Sequence, residues 1–186
     1  MRTKIKAFSL AAGLFVAGMA LAEENMTGWL FNVYRMKEVK PVDNKNYLEE
    51  CSACHLAYPP GLLPAKSWQK LLDEQALADH FGEDASLDED TLREIRNYAL
   101  ENAADKSYYK RSRKIAIATK NGDAPMRITE VRYLKRKHHE IPAKMIKGNK
   151  DVKSLSYCDA CHTQAKKGVF DSDTVHIPNY PDWHDD

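Results

Sequence analysis

The chain has 186 residues, 43% of them hydrophobic and 30% charged, enough to bury a core and too polar for a membrane-embedded protein. Its formal net charge of +1 conceals a segregation: residues 23–105 carry 8 Lys/Arg and 17 Asp/Glu, residues 106–153 carry 15 and 4, and residues 154–186 carry 2 and 6. A basic segment flanked by acidic ones argues against a nucleic-acid surface, but such a polarised chain can steer a charged partner unless folding mixes the two halves.

The first 22 residues have a basic start (Arg2, Lys4, Lys6), an apolar run from Ala7 to about Met19, and the small-x-small ending Ala20-Leu21-Ala22. That is the pattern of a cleaved export signal, and the run is short for a membrane span. The mature chain is therefore expected to start at Glu23 and to work outside the cytoplasm, in the periplasm. Residues 23–47 are mixed, with a short element expected around 29–36.

At residues 51–55 stands Cys-Ser-Ala-Cys-His, and at 158–162 Cys-Asp-Ala-Cys-His; these hold all four cysteines. Disulfides are the usual use of cysteine in an exported chain, but a Cys-x-x-Cys bridge closes a very small ring and constrains little. A four-sulfur zinc site leaves the histidine after each second cysteine without a reason. Covalent haem accounts for every position: two thiols add to the two vinyl groups, and the adjoining histidine is carried beneath the iron. The sequence thus predicts two c-type haems. Cys51 and Cys54 attach the first, with His55 as proximal ligand. Cys158 and Cys161 attach the second, with His162.

Between the motifs the pattern is helical. Residues 57–64, with three prolines and a glycine, read as a loop. Residues 65–82 read as one helix with Trp68, Leu71, Leu72 and Ala76 inward and Gly82 as its stop. A second helix follows from Ser86, with Ser86 and Glu89 as a capping box and Leu92, Ile95 and Ala99 as its inner face. Residues 105–127 read as a basic loop or extended crossing. A third helix spans 129–141, from a Thr129 cap to the residue before Pro142. A Lys/Gly/Asn linker leads to the second motif, and the tail reads as irregular. No strand is expected. The fold class is mainly α, its C-terminal half irregular around one principal helix. The expected organisation is a first haem subdomain at 23–105 and a second at 106–186.

The sixth ligand of each iron decides what the protein can do. His80 extends the row Leu72, Ala76 and His80 at four-residue spacing and is the candidate for the first haem. For the second, Val131, Leu134, His138 and Ile141 share a helical stripe, while His139 is turned about 100° toward Arg132 and Lys135. His138 is therefore preferred, with His139 and His176 as alternatives. Met126 and Met145 rank lower, because methionine more often packs as plain core, and His184, near the terminus, ranks last.

The blocks YLEECSACHLAYPPGLLPAKSW, LADHFGEDASLDEDTLREIRNYALENAA, RITEVRYLKRKHHEI and SYCDACHTQAKKGVF resemble the small periplasmic dihaem cytochromes c over most of residues 47–178. The first half also looks like a shortened class I cytochrome c, with histidine where such proteins usually offer methionine. The resemblance implies two bis-histidine haems, with distal histidines falling on His80 and His138. It further implies an electron carrier, fed by a membrane cytochrome b or quinol-linked donor and delivering to a small monohaem cytochrome of the sphaeroides-type haem protein kind. The competing class is an enzyme or gas sensor, peroxidase-like, in which one iron stays five-coordinate.

Overall fold

The computed structural model describes residues 38–183, so the export signal, the element expected at 29–36 and His184 lie outside the described residues. Helix α1 (Lys45–Cys51) begins at Asn44, whose side-chain oxygen accepts from the Tyr47 amide, and its last residue is the first haem-motif cysteine. The proline-rich stretch after the motif is fixed from two sides. Tyr47 Oη donates to the Tyr58 carbonyl at 2.7 Å, and Trp68 Nε1 donates to the Pro60 carbonyl at 2.7 Å. Within it Gly61 passes so close to a later helix that a Cβ there would collide with Ser112 Oγ.

The single helix expected over 65–82 is two. Helix α2 (Ala65–Leu71) and helix α3 (Glu74–Ala78) are separated at Leu72-Asp73, because the Asp73 side chain accepts from the Gln75 amide and so starts a new helix. Leu77, not Ala76, is the buried residue of the second piece. Helix α4 (Glu89–Glu101) has the expected inner face: Leu92, Ile95 and Ala99 are buried. Its cap differs from the capping box at Ser86, since Asp88 accepts from the Thr91 amide. Two further acids in the first turn complement the helix dipole. Helix α4 packs on α1 and α2. The centre of this packing is Tyr47, edge-on to Trp68 at 6.4 Å and tilted against Tyr98 at 5.3 Å.

Residues 105–127 are not a loop throughout: they contain α5 (Lys110–Ala118), a correction to the sequence reading. Its inner face is Ser112 and Ile115, continued by Thr119 just past the helix end. Helix α6 (Arg132–Lys137) is shorter than the expected 129–141. A one-turn 3₁₀ segment (Ile128–Glu130) precedes it, Val131 takes the cap position in place of Thr129, and His138 ends it. Helix α7 (Ala143–Ile146) occupies part of the expected linker, and α8 (Cys158–Cys161) is the second motif itself. Among the described residues no strand is formed; only two isolated bridges occur, His80 with Glu83 and His162 with Val175. The fold is mainly α, as expected. One buried cluster runs from Val39 through Ile95 and Ile115 to Phe170, across the boundary set at residue 105. No described helix is long and apolar enough to cross a membrane.

Candidate functional site

The first site is built where α1 ends. Cys51 is half-buried, Cys54 is exposed, and the next turn delivers His55. The His55 Nδ1 lies 2.7 Å from the Leu56 carbonyl, so Nδ1 carries the proton and Nε2 keeps a free lone pair. The ring stacks on Tyr58 at 4.8 Å. Opposite it, at 6.3 Å between ring centres and 24° between planes, stands His80.

His80 is not on a helix. It sits in a tight turn after α3, in which His80 and Glu83 exchange backbone hydrogen bonds and Gly82 N donates to Asp79 Oδ1 at 3.1 Å. Phe81 (φ 59°) and Gly82 (φ 103°) both adopt the left-handed conformation that the turn demands. The Arg127 guanidinium lies 3.9 Å over the Phe81 ring, which is itself edge-on to His80 at 4.8 Å. Burial, then the nearby His55 and Arg127, lower the His80 pKa and favour the neutral, ligating imidazole.

The second site has the same logic on different supports. His162 ends α8, its amide donating to the Cys158 carbonyl at 2.8 Å. His138 ends α6, with Nδ1 donating to the Leu134 carbonyl at 2.8 Å. The two ring centres are 6.0 Å apart, with planes 76° apart. Phe170 packs edge-on to His162 at 5.3 Å. Burial first, then His138 and Arg111, hold the His162 pKa down at about 4. A cavity of about 780 Å³ opens between these groups, lined by Cys158, Cys161, His138, His162, Tyr133 and Phe170 among others. That volume suits a cofactor, whose pockets span about 300–1,000 Å³.

Both sites pass a geometric test for a bis-histidine metal centre. A metal bonded to one nitrogen of each ring, at about 2 Å per bond, holds the ring centres about 6 Å apart. The observed 6.3 and 6.0 Å fit that span. No disulfide joins the four cysteines. Burial pushes Cys51 and Cys158 up to about 12 and raises Cys161. Among the described residues, no three His, Cys, Asp or Glu side chains converge on a point.

The structure therefore brings together His55 with His80, and His138 with His162. It does not bring in the alternatives. His139 is 65% exposed, beside Glu140, with its Nδ1 turned to the Arg136 carbonyl. His176 is exposed; only its backbone amide touches the site, donating to the Cys161 carbonyl at 2.9 Å. Met126 and Met145 are half-buried, Met126 packing against the core cluster. Three residues at the sites are not among those that the sequence reading singles out. Tyr58 stacks on His55 and its hydroxyl donates to the Ser156 carbonyl, two residues before Cys158. Glu38 and Arg111 form a buried pair at the second cavity. A tyrosine three residues after a haem-motif histidine was the one feature that spacing could have flagged.

The family model described as dihaem cytochrome c matches residues 47–170. Among solved structures, the diheme cytochrome type c of Shewanella baltica OS155 is 39% identical, with a TM-score of 0.62, covering 75% of this chain and 97% of that one. The diheme cytochrome c of Rhodobacter sphaeroides is 43% identical, with a TM-score of 0.61, covering 72% and 99%. A second structure from that organism, of purified DHC, is 41% identical, with a TM-score of 0.56, covering 70% and 99%. No curated protein matches the chain.

Proposed function

The chain belongs to the dihaem cytochrome c family, a family of electron-transfer haem proteins with two c-type haems, and on that premise we propose that it is an exported electron carrier and not an enzyme. The observation that carries this reading is the pair of facing imidazoles at each motif, 6.3 and 6.0 Å apart. When bound, each haem supplies a one-electron iron couple whose potential the protein sets. Cys51 and Cys54 would hold the first haem through thioethers, and Cys158 and Cys161 the second. His55 and His80 would ligate the iron at the first motif, and His162 and His138 that at the second. With each iron so ligated by the chain's own side chains, neither oxygen nor peroxide would have a place to bind.

The surrounding residues serve that role. The Leu56 and Leu134 carbonyls fix the ring orientation of His55 and His138, as outer hydrogen bonds do for metal-bound histidines. Tyr58 spans from the His55 ring to the segment leading into Cys158, so it offers a bonded and stacked route between the two sites. Lys135, Arg136 and Lys137 lie exposed on α6 immediately before His138. They form a basic approach to the second site for an acidic redox partner, read as a small soluble monohaem cytochrome of the sphaeroides-type haem protein kind. The donor on this reading is a membrane cytochrome b or quinol-linked protein, and the location is the periplasm.

The test is a reductive titration of the mature protein, with its mass measured beside it. Two covalent haems, two electrons taken up and returned reversibly, and a reduced spectrum unmoved by carbon monoxide are expected. Carbon monoxide binding by the unmodified protein, or turnover of peroxide, would assign it instead to the peroxidase-like class.

A further inference from the structure

Glu38 and Arg111 are an ion pair with unusual surroundings. Their side chains are 4% and 15% exposed, and Arg111 Nη2 lies 3.4 Å from both Glu38 carboxylate oxygens. Glu38 Oε2 also accepts from the Phe170 amide at 2.6 Å, and the Phe170 ring packs on His162. Arg111 Nη1 reaches the Tyr133 hydroxyl at 3.4 Å. Both residues line the cavity between His138 and His162.

Two things about this pair need an explanation. Burying a charge pair brings little or no net stability, so stability is a weak reason for placing one here. The Arg111 Nε–H is also buried without an acceptor, and a guanidinium N–H left unpaired in a protein interior is costly. Glu38 already faces Nη2 and Tyr133 faces Nη1, so the open donor calls for a third acceptor. Haem carries two carboxylates on its edge, and a carboxylate is the acceptor that the arginine fork binds best.

We propose that Arg111 is the buried cation that receives a haem carboxylate at the second site and, opposed by Glu38, sets the reduction potential of that iron. The inference rests on the functional reading above. Its electrostatics are simple. Reduction places one electron on the iron. A fixed positive charge nearby favours the reduced state, and a fixed negative charge disfavours it. At an effective dielectric of about 20, one charge within about 10 Å moves such an equilibrium by about tenfold. For a one-electron couple that is about 59 mV.

The experiment compares R111Q, R111K and E38Q with the unaltered holoprotein, by mass for haem content and by potentiometric titration of each haem. R111Q should lower one midpoint by about 59 mV, and E38Q should raise the same midpoint by a similar amount. R111K, which keeps the charge, should stay near the original value, and the other haem should not move in any variant. Shifts of the same sign in R111Q and E38Q, or no shift in either, would overturn the proposal while leaving the electron carrier intact. If R111Q fails to accumulate, E38Q decides: an unmoved or lowered midpoint overturns the proposal. Fewer than two covalent haems on the unaltered mature protein would instead overturn the functional reading itself.

Discussion

The same pentapeptide is supported in two different ways. At residues 51–55 it closes a seven-residue helix that packs on α4 and shares the Tyr47, Trp68 and Ile95 core. At residues 158–162 it is itself a four-residue helix beside an open cavity of about 780 Å³. Helices of that length have no stability of their own in water. The first motif is therefore expected to keep its support without its haem, and the second to draw on the haem for part of its support. The histidine pairs differ too, with ring planes 24° apart at the first site and 76° at the second.

The largest expected effect comes from removing one haem at a time. Cys158→Ser with Cys161→Ser should halve the haem content and free the amides of α6, α7 and α8 to exchange with solvent, while α4 amides stay protected. Hydrogen exchange read by mass spectrometry checks this. Equal protection in both halves would erase the contrast between a core-held and a haem-held motif.

Next come the distal ligands. His80→Ala and His138→Ala should each open one iron to carbon monoxide, and His139→Ala should change neither spectrum. Carbon monoxide binding by His139→Ala and not by His138→Ala would move the second ligand to the exposed neighbour.

A smaller effect is expected in the core that supports the first site. Ile95, fully buried on α4, should cost about 2–5 kcal/mol of stability when changed to alanine. Urea unfolding followed in the far ultraviolet measures it. A loss under about 1 kcal/mol would show that α4 is not the support argued here.

The smallest effect is on rate. Reversing Lys135, Arg136 and Lys137 to glutamate should slow transfer to an acidic partner by about tenfold at low salt with the spectra intact. Raising ionic strength to about 0.1 M should weaken the difference. Stopped-flow rates indifferent to both changes would remove the second site as the docking face.

Much of this arrangement is legible in the sequence, for identifiable reasons. The motifs are local chemistry, and α4 shows its face because Leu92, Ile95 and Ala99 are apolar at helical spacing against a charged exterior. Helix α5 is hidden because one of its two buried positions, Ser112, is a hydroxyl residue, as is Thr119 just past its end, and its first turns are crowded with lysine and arginine. The break at Asp73 is invisible to periodicity, since a capping aspartate reads like any other polar position. His138 is on the inner side as its period suggested, although the helix stops one residue short of it. His80 is opposite His55 for another reason than the row Leu72, Ala76 and His80: a tight turn with two left-handed residues re-aims it. The pair Glu38 and Arg111 joins residues 73 positions apart, and no local pattern reports such a contact.

The central claim is that both irons are closed by histidine pairs with different plane angles. Low-temperature electron paramagnetic resonance of the oxidised, unmodified protein tests it most directly. Two low-spin ferric signals of equal weight are expected, the near-perpendicular pair at the second site giving the larger anisotropy and the near-parallel pair the more rhombic signal. A high-spin ferric signal accounting for one iron per chain would contradict the account.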